Sequence, residues 1–349
     1  MPAITKPSNH FNTVLYSGAN PASQTVTVGF QPDFVWIKSR TQTYGNYLFD
    51  VVRTPTYGLI TNSTAGDSTG DALTFTANGF TTTASAGATN DPTGAPNNFT
   101  CYSWKAGGAA VTNTSGTISS QVSANPTAGF SIVAWTGNGV NSATVGHGLN
   151  AVPAMIICKE RAGTDYWHIK HKNMATTVNG FFNTLALYSA ATVGDGVLAD
   201  LSSNTTFGFA TAGSPANVVA VNESGMTNIA YCWSEIPGYS SFGGYTGNGS
   251  TDGPFLYTGF RPRFLMIKST ASGAGGDNWY ILDSSRNTYN VVNTRFTADG
   301  NYIDDTGSSY AVDFLSNGFK LRTSNNLNVS QGYIYAAFAE APFKYSNGR

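Results

Sequence analysis

Charge is scarce in this sequence. Only 11% of the 349 residues are Asp, Glu, Lys or Arg, against about 25% in average domains. The 18 basic and 19 acidic side chains nearly cancel, and no basic stripe runs through them. That balance argues against nucleic-acid binding, which needs clustered Lys and Arg to neutralise phosphates. Cysteine is almost absent too: Cys101, Cys158 and Cys232 each sit in an apolar, strand-like run. An odd count without close spacing makes neither a disulfide framework nor a zinc site. These residues read as small buried hydrophobes with reduced thiols, as in a protein that folds in a reducing cytoplasm. No apolar run approaches the roughly 20 residues that cross a bilayer, so no membrane insertion is expected. The start, MPAITKPSNHFNTV, lacks the charged and apolar regions of a signal peptide. Amphipathic helical periodicity is missing throughout.

What the chain does have is repetition. Residues 29–39 read GFQPDFVWIKS, residues 153–159 PAMIICK and residues 259–269 GFRPRFLMIKS. In each copy Lys follows Pro by six positions: Pro32 and Lys38, Pro153 and Lys159, Pro262 and Lys268. A second landmark, aromatic-Thr-Gly-Asn-Gly, occurs at 135–139 and 245–249, 110 residues apart, while Lys159 and Lys268 are 109 apart. Two unrelated landmarks with one period define an array. Between them lie runs of four to seven β-branched and aromatic residues bounded by Gly, Pro, Asn and Ser, which are strand and turn signals. Residues 166–170 and 279–283 align with 47–50, which sets Lys170 where the other copies have Asp. The expected fold is all-β: three tandem β-sandwich modules of jelly-roll or lectin- or laminin-G-like type. The expected boundaries are an N-terminal arm over 1–12, modules over 13–110, 127–238 and 239–343, a Thr/Ser-rich linker over 111–126, and a tail over 344–349.

The repeated strand carries a further message. Side chains alternate along a strand, so Phe34 and Trp36 face one way, Val35 and Ile37 the other. Both faces are apolar here, and equally in Met155/Ile157 against Ile156/Cys158 and Phe264/Met266 against Leu265/Ile267. Such a strand needs cover on both sides, from its own module and from a neighbouring module, a long loop or another subunit. The terminal Lys is expected to lay its stem on this surface and keep its ammonium in water.

These landmarks resemble repeat modules of structural proteins from tailed bacteriophages, cyanophages and marine phages especially. The first module matches that pattern at 29–40, 48–50, 75–80 and 102–107, and the third at 245–249, 259–269, 282–283 and 317–319. The second has Gly148-Leu149 for Gly-Phe, and the closing Trp is Phe338 in the third. The resemblance implies a virion component assembled in the host cytoplasm, a tail fibre or tail-associated protein, and no enzyme. Its implied partners are other virion proteins and copies of itself, a trimer being favoured. Head decoration is the alternative, and a glycan-binding, lectin-type receptor-binding module is another.

Chemistry-bearing constellations are thin. His168 and His171, with Asp165, are the best metal candidate, but residues three apart on a strand face opposite sides, so both read as surface histidines. His147 lies between glycines in a turn, and His10 in the arm. Asp304-Asp305 reads as a loop cap rather than a calcium site, which gathers more carboxylates. The few acids do not form the flanking pair of a glycosidase, and no nucleophile elbow or phosphate loop is present. No catalytic residue, metal ligand or cofactor is therefore assigned. Tyr44, Tyr47, Tyr57, Tyr239, Tyr245, Trp279 and Tyr310 lie near Gly- or Ser-rich turns, where binding residues gather, and are candidate contacts for a partner or host surface polysaccharide. The arm and tail are expected to dock on a neighbouring virion protein.

Overall fold

The computed structural model describes residues 3–91, 97–174, 178–181, 187–189, 198, 201–209, 221–271 and 278–342. Short β-forming runs interrupted by Gly, Asn and Ser favour hydrogen bonding between strands over helices, and the chain is nearly all antiparallel β-structure. The first large sheet runs Phe11–Ser17, Asn98–Trp104, Phe34–Ser39, Asn46–Asp50, Leu59–Ile60. The second has the same order: Phe130–Thr136, Thr227–Trp233, Met155–Glu160, His168–His171, Val178–Phe181, Leu187–Ser189. So does the third: Ser240–Thr246, Gly332–Pro342, Phe260–Ser269, Tyr280–Asp283, Thr294–Thr297, Asp305–Thr306. In every copy the first strand pairs with the last, and the last with the strand of the repeated motif. A small sheet packs on each: Gln24–Thr27, Gly79–Thr82 and Leu73–Thr76; Thr144–Gly146 and Thr206–Gly208; Phe255–Tyr257, Gly318–Leu321 and Val312–Leu315.

Two expected boundaries are corrected. The 111–126 segment is not a linker: Val111–Asn113 and Ser120–Asn125 extend the second sheet beyond Phe130–Thr136. Its hydroxyl-rich composition hides a half-buried strand, with Val122 in the core and Ser120 Oγ donating to the Gly146 carbonyl at 3.0 Å. Nor is the start of the chain a free arm. Ile4 is 3% exposed, Pro7 is buried, and Phe11 already opens the first strand. The tail, residues 344–349, lies outside the described residues.

The motif strands are covered on both faces. Val35 and Ile37 enter a core with Val26, Leu73 and Phe80 of their own small sheet. Ile156 and Cys158 do the same with Val145 and Phe207, and Leu265 and Ile267 with Val312 and Phe319. The opposite faces of all three strands, Phe34/Trp36, Met155/Ile157 and Phe264/Met266, join one common core. The second cover is therefore the other modules. Register also corrects the alignment of the next strand: Asp50 stands opposite Phe34, Asp283 opposite Phe264, and His171 opposite Met155. His171, not Lys170, replaces the aspartate.

The Thr-Gly-Asn-Gly landmark is a structural lock. Asn138 N–H donates to Asn222 Oδ1 (3.1 Å) and Asn248 N–H to Asn328 Oδ1 (3.0 Å), and each partner amide donates back to the motif Asn. Asn222 and Asn328 are fully buried. A Cβ on Gly137 or Gly247 would stand 2.2 or 2.1 Å from the Glu223 or Val329 carbonyl oxygen, so only glycine fits that approach. The first module keeps half of the lock without the signature: Ala19 N–H donates to Asn90 Oδ1 at 2.9 Å, and the Asn90 amide donates to the Ala22 carbonyl at 2.8 Å instead of to a motif Asn.

Candidate functional site

The shared core is where the three modules meet. The closing aromatics of the repeats, Trp104, Trp233 and Phe338, converge there, Trp104 lying 5.9 Å from Trp233 and 5.4 Å from Phe338 between ring centroids. Phe34 reaches Tyr231 of the second module at 4.4 Å, and Tyr102 reaches Phe264 of the third at 5.0 Å. Residues of all three modules line a void of about 10 Å³, walled by Trp, Phe, Met, Ile and Ala side chains. A space this small and apolar stays dry.

Around this core, polar clasps join module to module. Asp50 and Arg53 form a fully buried pair, Arg53 Nε donating to Asp50 Oδ2 at 2.6 Å. The second module supplies Tyr231, whose hydroxyl donates to the same oxygen at 2.8 Å. Arg53 Nη1 also donates to Asp67 (2.8 Å), and Arg161 of the second module pairs with that Asp67 (2.8 Å). The third module repeats the arrangement with donors from the first. Arg286 Nε meets Asp283 Oδ2 at 2.5 Å, Tyr102 hydroxyl donates to that oxygen at 2.9 Å, and Asp304 bridges Arg286 (3.0 Å) to Arg40 (2.7 Å). In both clasps the remaining Asp oxygen accepts two backbone N–H groups, from Val52 and Arg53 or from Ser285 and Arg286. Burial alone would lower the arginine pKa values; Asp50 with Tyr231 and Asp67, and Asp283 with Tyr102 and Asp304, outweigh it and hold both guanidiniums charged.

The third seam closes the ring by different chemistry. Ala336 occupies the position of Tyr102 and Tyr231, and His171 that of the aspartates. His171 Nε2 lies 3.1 Å from the Tyr335 carbonyl, and Nδ1 accepts the Asn173 N–H at 3.1 Å. That is the neutral tautomer, and burial lowers its pKa to about 4. The second module thus takes its contact from the third, the first from the second, and the third from the first, which is a pseudo-threefold ring in one chain.

The motif lysines depart from expectation. Lys38, Lys159 and Lys268 are all fully buried rather than water-facing. Lys38 Nζ donates to the Ser39 carbonyl at 2.8 Å and lies 5.5 Å from the Phe296 ring of the third module; Lys159 Nζ donates to the Glu160 carbonyl at 2.6 Å. The packed neighbouring module is what removes the water. Burial lowers the Lys38 pKa to about 7 and the Lys159 pKa to about 8. The unfolded chain binds these protons up to about pH 10.4, so it holds more protons than the folded one between those values. Each lysine therefore contributes stability that rises with pH from 8 to 9.5, by at most about 1.4 kcal/mol per unit. The buried Cys101, Cys158 and Cys232 thiols, whose pKa burial raises, contribute in the opposite sense, so the lysine part is read in denaturant titrations as the difference between wild type and a lysine variant. Lys38→Met should reduce the slope. On the acid side His171 and His147, both held near 4 by burial, make stability fall as pH drops from 6.5 towards 4.

The structure separates the aromatic candidates. Tyr239 and Trp279 are buried in the shared core, and Tyr245 is stacked on Tyr333 at 4.8 Å with its hydroxyl donating to the Leu327 carbonyl. None of these three offers a ring face to a sugar, because the turns beside them sit at seams and strand ends. Tyr44 is half-buried and bonded to Asp91, and Tyr47 stacks on Phe49. Tyr57 is 38% exposed, and half-buried Tyr310 packs beside Arg295. His168 and His171 are buried, not surface residues. Asp304 and Asp305 are engaged by arginines. Among the described residues, no group of three or more His, Cys, Asp or Glu could hold a metal ion, and no helix is long and apolar enough to cross a membrane. The clasp residues went unassigned from sequence, although Asp-x-x-Arg occurs after the same strand in DVVR and DSSR.

No curated protein and no solved structure matches the chain. One family model does, over residues 6–342, so that a single model spans all three repeats and the seams between them. The chain belongs to that family, described as a domain of unknown function, DUF7483.

Proposed function

We propose that the protein is a structural component of a tailed-phage virion, a tail-fibre or tail-associated assembly protein that acts by protein–protein contact. The observation that carries this reading is what the repeated residues do. The Asn-Gly locks, the motif strands and the closing aromatics all serve packing within and between modules. What is repeated is a way of building a rigid body. The ring also offers threefold-related modules from a single chain, which suits attachment on a threefold axis. On this reading the trimer expected between subunits is met inside one polypeptide.

Quantitative mass spectrometry of purified particles, with antibody labelling under the electron microscope, tests the assignment. A few copies per particle at the tail is the expected result. Hundreds of copies over the head would make it a decoration protein, and absence from the particle would overturn the reading.

A further inference from the structure

The first and third modules provide an internal comparison, because they share one topology. In the first, Gly58 bridges Ser68, with Ala65 in the intervening turn. The register of the third puts Arg295 opposite Asp305 at the same place, with Tyr302 in the turn. At these three positions the first module folds with Gly58, Ala65 and Ser68, where the third has an arginine, an aromatic ring and a carboxylate. In the second module the corresponding pair is Asn179 opposite Tyr188, and the turn between them, 182–186, lies outside the described residues.

These side chains are assembled, not scattered. Arg295 donates through Nε (3.1 Å) and Nη2 (2.8 Å) to Asp305 Oδ2. Its guanidinium carbon lies 5.3 Å from the Tyr302 ring centroid and 4.9 Å from that of Tyr310, and Tyr310 packs on Tyr280 at 5.3 Å. These are cation–π distances that hold the rings in place. Tyr302 lies against Gly300, where a Cβ would come within 2.6 Å of its ring. Despite this support, Tyr302 remains 52% exposed and Asp305 45% exposed, while Arg295 is 11% exposed. Arg295 Nη1 has no protein partner.

We propose that Tyr302, Arg295 and Asp305 form a binding site for a neutral saccharide on the third module. A fixed, half-exposed ring offers an apolar face to the C–H face of a pyranose at small entropic cost. Both Arg295 bonds use Oδ2 of Asp305, which leaves Oδ1 for a sugar hydroxyl in a charge-assisted hydrogen bond. The ion pair cancels its own charge, so the site selects a neutral sugar over an anionic one. Saccharide binding stands independently of where the protein sits in a particle.

The test is saturation-transfer NMR on the full chain, with a panel of neutral oligosaccharides containing glucose, galactose, mannose and N-acetylglucosamine. At least one is expected to bind, and Tyr302→Ala and Asp305→Asn should each weaken it by about tenfold or more while both variants keep the far-UV circular dichroism spectrum of the wild type. Tyr257→Ala, which removes an exposed ring (64%) elsewhere on the module, should leave binding unchanged. Failure of every saccharide, or equal binding by the Tyr302→Ala and wild-type proteins, would overturn the proposal. So would a site that instead captures a virion protein and no sugar.

Discussion

Trp104→Ala is expected to cost about 3–5 kcal/mol, the range for deleting a large buried aromatic, and to destabilise all three modules together. The indole is 2% exposed and meets Phe11 and Phe34 of its own module, Phe130 and Trp233 of the second, and Phe264 and Phe338 of the third. Its surroundings belong to three modules, so no one of them can collapse into the cavity alone. Urea unfolding followed by probes in each module should show one shared shift in midpoint. A loss confined to the first module would mean that the common core is not shared energetically.

The clasps should give the second large effect. Arg286→Ala leaves the Asp283 carboxylate buried without its guanidinium, and breaking a buried ion pair on one side costs about 3–5 kcal/mol. Arg53→Ala should behave alike, since Asp50 is equally buried. Removing a hydroxyl across the seam is milder: Tyr102→Phe or Tyr231→Phe should cost about 1–3 kcal/mol. The informative quantity is coupling. Arg286 and Tyr102 lie in different modules but share one carboxylate oxygen, so their double mutant should fall short of additivity by about 0.5–3 kcal/mol. Strict additivity would show that the seam is a contact without energetic consequence.

Much of the fold was legible because strands announce themselves in period two. The split of Phe34/Trp36 from Val35/Ile37 carried through unchanged, one pair facing the neighbouring modules and the other its own small sheet. Seams were less legible. A single chain cannot show which module will cover a face, and that cover is what buries Lys38 and Lys159 against the expectation that they stay wet. The exchange of Asp for His171 was misplaced by one residue because the YWHIK run offers no landmark, whereas the ladder opposite Met155 decides it. The 111–126 segment hid its strands behind Ser and Thr. Around the saccharide site, the sequence marks Tyr310 as a candidate contact and Asp305 only as a loop cap. Tyr302, Arg295 and Asp305 become meaningful only when the equivalent turn of the first module is seen to fold with Ala65, Gly58 and Ser68.

The central claim is that three repeats form one ring and fold as one body. Differential scanning calorimetry of the full chain tests it most directly. The ring predicts a single transition whose calorimetric and van't Hoff enthalpies agree. Three separable transitions, or a calorimetric enthalpy about three times the van't Hoff value, would mean independent modules on a string and would contradict it.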